Sequence, residues 1–320
     1  MKVRAAGMFD LGTIEDLHRA TGAAGTPSPP PTRLWSMLSH SLSSFLPLLQ
    51  DTLVYVAEED GRLIGFIQAS GRPQGAALAT VTTLQVVNLV VAPDAAVESV
   101  GPALIEHLAN QAIGRGIERL FVRLPTDETT IPVLRRYGFH QYATEHVMFA
   151  ESPKPVSHSV PFGLRDAKGS DMRLLYSLYR KVTPLGVAQR EVPNSKEWRR
   201  LKAEPILRLG RAHAQQFVVD RVELVGWVGI QKAGGPTLPH TLSFLALPEP
   251  GLPEELADHA IVALGKPSGP AWSSLRHYDS HMIDALRARG FTTLLNQSLM
   301  VKELALRAPL REKALAPAFG

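Results

Sequence analysis

The sequence contains no cysteine among its 320 residues. This absence excludes a disulfide scaffold, a thiolate nucleophile and any zinc or iron–sulfur site with cysteine ligands. The chain also has no run approaching the ~18 apolar residues of a membrane span, and its first residues lack the apolar core of a signal peptide. We therefore expect a cytoplasmic protein that has no membrane partner.

Several catalytic and ligand-binding patterns are missing as well. The sequence has no H-E-x-x-H, G-x-S-x-G or G-x-x-x-x-G-K-[ST] string, and its histidines lack the spacing of metal ligands. Seven basic residues lie between positions 190 and 211, but three glutamates are interleaved with them. This mixture is typical of a solvated helix face, not of a nucleic-acid surface. We expect neither a metal nor a nucleic-acid partner.

The composition is that of a globular chain, with 45% apolar and 20% charged residues. Its length predicts about two domains. The net charge of +4 is uneven, because residues 1–152 carry 11 Lys+Arg against 15 Asp+Glu and the remainder carries 23 against 15. The basic character of the chain therefore belongs to its second half.

The order of strands and helices in the first half recurs in the second half. Four landmarks recur in the same order: Arg4 with Arg165, Gly65 with Gly226, Pro93 with Pro248, and Gly138 with Gly290. The offset falls from 161 residues to 155 and then 152, and it falls only at loops, which tolerate deletions. We predict two α/β domains, at 1–152 and 159–306, joined by a Pro- and Ser-bearing linker and followed by a basic tail at 307–320.

The segment from 84 to 113 carries the clearest functional signal. A β-branched run at 84–91 predicts a buried strand that ends at Pro93, and a helix is predicted at 100–113. A helix start offers unpaired N–H groups and the positive end of the helix dipole, so it can bind a phosphate. Glycine near that start, here Gly101, lets the backbone approach an anion closely.

This pattern resembles the GNAT superfamily of acyl-CoA-dependent N-acyltransferases. Val91-Ala92-Pro93 matches the end of the family's central strand, Gly101 matches the last glycine of its diphosphate loop, and Gly138-Phe139 matches the end of a later helix. The resemblance implies two tandem GNAT-like domains of α/β (α+β) class, each with a mixed, mostly antiparallel central sheet flanked by helices. It also implies acetyl-CoA, or another acyl-CoA, as the cofactor. The positions that it assigns to cofactor binding are Leu89, Val90, Val91, Ser99, Val100, Gly101, Pro102 and Ala103.

The two copies depart unequally from the family pattern. In the first copy Ala96 and Ser99 replace the family's Arg/Gln and its first glycine, and Glu98 brings a negative charge into the loop. In the second copy the loop is three residues shorter and is followed by Glu254 and Glu255. We expect the cofactor in the first copy and an architectural or substrate-shaping role for the second. A loop that is retained in the first copy only for packing is the alternative.

No complete catalytic set can be assigned from the sequence. The resemblance places the family's usual tyrosine acid at Leu134 and Leu286, neither of which can transfer a proton. The two weak catalytic candidates are Asn88, which could orient a water molecule, and His240, which could accept a proton near neutral pH. The sequence leaves two hypotheses: acyl transfer to the primary amine of a small molecule or peptide, or a non-catalytic module that binds CoA, another ligand or a protein. The oligomeric state is left open.

Overall fold

The computed structural model describes residues 1–22, 52–71, 82–126, 131–157, 159–195, 197–198, 214–233, 239–265 and 269–304. The first repeat contains β1 (Lys2–Ala5), α1 (Leu11–Gly22), β2 (Thr52–Glu59), β3 (Arg62–Ser70), β4 (Thr83–Val91), α2 (Val97–Gly114), β5 (Arg119–Pro125), α3 (Ile131–Arg136) and β6 (His140–Ala150). The second contains β7 (Leu164–Asp166), α4 (Met172–Val182), α5 (Leu185–Glu191), β8 (Ala214–Asp220), β9 (Leu224–Gln231), β10 (His240–Ala246), α6 (Leu252–Leu264), β11 (Ala271–Arg276), α7 (Ser280–Arg287) and β12 (Thr292–Glu303). The α/β class and the tandem arrangement are confirmed.

The domain boundaries at 152 and 159 stay predictions. The tail at 307–320 and most of the basic group at 190–211 lie outside the described residues. None of the described helices is long and apolar enough to cross a membrane. The described residues also contain no group of three or more His, Asp or Glu side chains placed to hold a metal ion.

All twelve described strands form one sheet, in the order β1-β2-β3-β4-β5-β12-β6-β11-β10-β9-β8-β7. The last strands of the two repeats are exchanged, because β12 pairs with β5 of the first repeat while β6 pairs with β11 of the second. The two exchanged strands also pair with each other, antiparallel, at the centre of the sheet. Each repeat is therefore completed by a strand of the other.

The predicted repeat is visible in matching ion pairs. Arg4 donates to both carboxylate oxygens of Asp10, at 2.7 and 2.9 Å, and through Nε to Glu58 at 2.8 Å. Arg165 lies 161 residues later and donates to both oxygens of Asp171, at 2.7 and 3.0 Å. In both repeats this pair ties the first strand to the short helical turn that follows it. The recurring arginine therefore makes the same contact in both repeats.

The glycine landmark on β3 and β9 also has a shared cause. A Cβ added at Gly65 would lie 2.8 Å from the carbonyl oxygen of Val90 and 3.0 Å from a methyl carbon of Val100. At Gly226, the added Cβ would lie 2.9 Å from a methyl carbon of Leu256. Each glycine therefore lets a helix pack directly against the sheet, and Gly65 lets the start of α2 lie close to β3.

The connection between the repeats is fixed by one buried ion pair. Asp258 on α6 accepts two hydrogen bonds from Arg289, at 2.7 and 2.6 Å, and both side chains are almost fully buried. The same carboxylate accepts the backbone N–H groups of Val156 and Ser157 at 2.7 and 3.1 Å. Four donors thus converge on one carboxylate, and the linker is held against the second repeat.

Candidate functional site

The parallel strands β4 and β5 part halfway along their length. Their pairing runs from Thr83 with Arg119 to Val86 with Val122 and then stops. At this point the β3–β4 register shifts, leaving Val87 as an extra residue on β4. Such a bulge bends a strand and increases its twist. Beyond it, one edge of β4 no longer pairs with β5.

This unpaired edge contains three of the predicted cofactor-binding residues. Leu89, Val90 and Val91 are partly exposed, and on their other side they pair with β3. Their remaining backbone groups face the side from which β5 has withdrawn. An extended amide-bearing ligand could pair with such an edge as an added strand does.

The second repeat shows the parting without the bulge. Strands β10 and β11 pair from His240 with Ala271 to Leu242 with Ser273. The β9–β10 ladder then continues from Thr241 to Ala246 with no shift in register. The distortion that turns β4 away from β5 therefore has no counterpart in the described part of β10.

The helix that follows β4 begins at Val97, three residues earlier than predicted. The N–H groups of Ser99 and Val100 both bond to the carbonyl oxygen of Ala96 at 3.0 Å, so these amides are already used. The donors left at this helix start are those of Val97 and Glu98. The prediction placed the start at Val100, next to the glycine, whereas residues 97–99 already adopt helical geometry.

Gly101 is the fifth residue of α2 and is buried, yet a Cβ added to it would meet nothing within 4 Å. At Gly65, by contrast, packed atoms already occupy the surroundings of an added Cβ. Close helix–sheet contact therefore requires a glycine at Gly65 but not at Gly101. A ligand could approach the helix backbone in this space. The other predicted residues here differ in exposure: Ser99 is exposed, Val100 and Pro102 are buried, and Ala103 is half-buried.

The two catalytic candidates lie far apart. Asn88 is buried on β4 and donates to Oε1 of Gln68 at 2.7 Å. His240 lies on β10, where Nδ1 accepts the N–H of Ala233 at 2.9 Å. Burial lowers the pKa of His240, and the charge of Lys232 lowers it further. Five strand spacings separate β4 from β10, or about 24 Å across the sheet, so the candidates do not share a site.

Replacing each candidate by alanine tests whether it takes part in the acyl transfer that the resemblance implies. Because of their separation, only one of Asn88→Ala and His240→Ala is expected to reduce the acyl-transfer rate, by roughly 100-fold. If His240 is the base, its variant also loses the acidic limb of the pH–rate profile, since a neutral imidazole is needed. The measurement is CoA release as a function of pH. Equal losses in both correctly folded variants would contradict a single transfer site.

The positions of the family's tyrosine are filled by core residues. Leu134 is 2% exposed and packs in the apolar cluster beneath α2, while Leu286 is fully buried in the corresponding cluster of the second repeat. Neither leucine faces solvent. Acid catalysis by the described chain would therefore need a group from another element.

A buried polar cluster at the centre of the sheet was not predicted. Arg276 donates to Glu145 at 2.6 Å and to Glu191 at 2.8 Å, and Glu191 also accepts the hydroxyl of Tyr142 at 2.9 Å. Arg123 reaches the same Glu145 oxygen at 3.4 Å. Burial raises the pKa of Tyr142 well above its usual value, and the charge of Glu191 raises it further. The strand exchange assembles this cluster, and no local sequence pattern indicates it.

The parted parallel strands and the helix start that follows them lie in the part of the chain that is similar to known acetyltransferases. The model of a family described as "Acetyltransferase (GNAT) family" matches residues 21–139, which lie within the first repeat. The match covers part of the first repeat, and the second repeat has the same order of strands and helices. No curated protein sequence matches the chain significantly.

Solved structures of similar fold cover nearly the whole chain. A tandem GNAT protein from the clavulanic acid biosynthesis pathway, described as without AcCoA, has a TM-score of 0.56 and 17% identity over 96% of this chain and 99% of its own. A GCN5-related N-acetyltransferase from Sphaerobacter thermophilus has a TM-score of 0.61 and 14% identity, with 95% of each chain covered. At these identities the similarity is one of fold.

Proposed function

We propose that the protein is an acyl-CoA-dependent N-acyltransferase with acetyl-CoA, or another acyl-CoA, bound in the first repeat. The observation that carries this proposal is the combination of a bulged, parted β4 with an open space beside Gly101 at the start of α2. The described part of the second repeat lacks the bulge, and Glu254 and Glu255 occupy the first turn of α6. The asymmetry expected from the sequence therefore has support in the backbone.

The residues present fit the cofactor in two places. The edge of β4 at Leu89, Val90 and Val91 offers backbone groups to the amides of the pantetheine arm. The start of α2 offers the N–H groups of Val97 and Glu98 and the space beside Gly101 to the diphosphate. The carboxylate of Glu98 opposes an anion there, so we expect weak binding of the diphosphate and a larger share of affinity from the strand edge.

Bound acetyl-CoA supplies the thioester carbonyl that a primary amine of a small molecule or peptide attacks. The chain holds the donor along β4 and the acceptor beside it, and direct transfer needs mainly this positioning and a deprotonated amine. It needs no covalent intermediate on the protein. Replacement of the usual tyrosine by Leu134 is compatible with such a reaction where solvent protonates the leaving thiolate.

A non-catalytic tandem module is the second candidate. It is favoured by one observation: both positions of the family's acid are occupied by buried leucines. A non-catalytic module can also bind CoA, so binding alone does not distinguish it from an enzyme. Turnover does. Release of CoA in the presence of a panel of amines supports the enzyme, and binding without release supports the module.

Acetyl-CoA is expected to stabilise the folded chain. A ligand that binds only the native state contributes about 2.7 kcal/mol at a hundredfold excess over its Kd, which raises the melting temperature by several degrees. Thermal melting at millimolar acetyl-CoA, desulfo-CoA, pantetheine and adenosine measures the effect. Pantetheine should retain more of the shift than adenosine. No shift with acetyl-CoA or longer acyl-CoAs would remove the cofactor from this proposal.

A further inference from the structure

Where β4 and β5 separate, the two faces of the sheet differ in chemistry. Leu84 and Val86 on β4, and Leu120 and Val122 on β5, belong to the apolar core beneath α2. Side chains alternate between the faces of a strand. The intervening residues therefore point to the opposite face; they are Gln85, Phe121 and Arg123. We call this opposite face the acceptor face, because the amine must approach a donor that lies along β4 and α2.

The accessible charge on the acceptor face is a cation. Arg123 is the first residue of β5 beyond the last pair with β4, and its side chain is 18% exposed. Glu145 is 1% exposed, so an external ligand cannot contact its carboxylate directly. On the same face, the ring of Phe121 makes an edge contact with the ring of Tyr142, with ring centroids 5.7 Å apart. A ligand arriving here meets the guanidinium before it meets a carboxylate.

The charge of Arg123 is only partly compensated by its neighbours. Its one described carboxylate contact is the 3.4 Å approach to Glu145. Arg276 donates to the same oxygen of Glu145 at the shorter distance of 2.6 Å, and it also donates to Glu191 at 2.8 Å. A guanidinium carries five N–H donors in a planar fork that matches carboxylate and phosphate. Within the described part of the chain, Arg123 thus has donors available for a second anion.

Gln85 supplies a neutral acceptor on the same face. The residue is 9% exposed, and its Oε1 atom is buried and has no hydrogen-bond partner among the described residues. A buried unpaired carbonyl oxygen costs free energy unless a donor arrives. Gln85 pairs with Phe121, two residues before Arg123. One strand spacing across and two residues along the strand place the two Cα atoms about 8 Å apart.

We infer that the acceptor substrate carries an anionic group, a carboxylate or a phosphate, which Arg123 binds while Gln85 Oε1 accepts a hydrogen bond from its amine. This inference rests on the proposed acyl transfer and specifies its acceptor. Arg123 sets the substrate preference through a charge-assisted contact. Gln85 orients the amine and cannot deprotonate it, so the rate should follow the free-amine fraction of the acceptor.

Matched acceptors test the inference in the full-length protein. CoA release is measured with γ-aminobutyrate against its amide and with O-phosphoethanolamine against ethanolamine. We expect the anionic member of a pair to have the larger kcat/KM, and the better pair identifies carboxylate or phosphate. In Arg123→Gln the ratio of kcat/KM within that pair should fall about tenfold or more, and Arg123→Lys should recover part of it. Gln85→Leu should raise the KM of both members.

Arg180→Gln is the charge-matched control. Arg180 is exposed on α4 of the second repeat, a helix that packs against β9 and β10. We expect its kinetics to match wild type. Equal changes in Arg180→Gln and Arg123→Gln would indicate a general effect of net charge and overturn the assignment.

Failure of this inference is distinguishable from failure of the proposed function. A wild-type chain that gains stability from acetyl-CoA and turns over both members of each pair equally keeps the function and loses the anion site. When no acceptor is turned over, calorimetry with γ-aminobutyrate and O-phosphoethanolamine decides the anion site directly. Binding that is lost in Arg123→Gln supports it, and no binding to the wild type overturns it.

Discussion

Replacing Gly101 by glutamate is expected to abolish the stabilisation of the chain by acetyl-CoA. A Cβ added to this glycine meets nothing within 4 Å among the described residues, so the new side chain would extend into the room that a diphosphate would need. Its charge would also repel that anion at short range. The measurement is the shift in melting temperature, or the heat of binding, at millimolar acetyl-CoA. A variant that binds like wild type would exclude Gly101 from the cofactor site.

Gly114→Glu is the control for this substitution. Gly114 lies in the same helix, and an added Cβ there also meets nothing within 4 Å. Thirteen residues separate the two glycines, or about 20 Å along the helix axis. We expect this variant to bind acetyl-CoA normally. Gly251→Glu probes the second repeat, where φ of +81° adds backbone strain; loss of binding there would contradict a cofactor confined to the first repeat.

Asp258→Ala is expected to lower the free energy of unfolding by about 3–5 kcal/mol, the typical cost of leaving a buried charge unpaired. The substitution leaves the guanidinium of Arg289, which is 3% exposed, without its carboxylate partner. It also removes the acceptor for the N–H groups of Val156 and Ser157. Urea or thermal unfolding at neutral pH measures the loss.

An exposed ion pair of the same type supplies the comparison. Asp284 contacts Arg287 at 3.1 Å on the surface of α7, with more than half of each side chain exposed. Asp284→Ala should change stability by less than about 1 kcal/mol. Similar losses in the two aspartate variants would show that burial does not amplify the role of Asp258.

The tandem architecture could be predicted because its landmarks are local. Arg4 and Arg165 each bind the aspartate of the short helical turn that follows their strand. Gly65 and Gly226 each permit the close approach of a helix to the sheet. The strand exchange could not be predicted in this way. The local pattern of β6 or β12 does not indicate whether the strand pairs with β5 or with β11, because this choice depends on the arrangement of the whole chain.

The candidate site, like the tandem architecture, could be predicted only where its residues are neighbours in the sequence. The strand that ends at Pro93 and the glycine near the helix start follow from a contiguous segment, although the helix begins at Val97 and not at 100. The parting of β4 from β5 is seen only in the structure. The acceptor face does not follow from any segment. Arg123, Glu145 and Arg276 are separated by up to 153 residues and meet only where exchanged strands lie side by side. Their charges look like ordinary surface charges in the sequence.

The exchanged strand also ties the folding of the chain to the order of its synthesis. The partner of β5 is made last, because β12 covers Thr292–Glu303 and β5 ends at Pro125. While the ribosome translates the residues between them, β5 has an open edge that another chain could pair with. Pairing over so long a separation also slows folding, since a large loop must close first. A nascent chain arrested before position 292 should therefore be more exposed to proteolysis and aggregation in its first repeat than the finished protein.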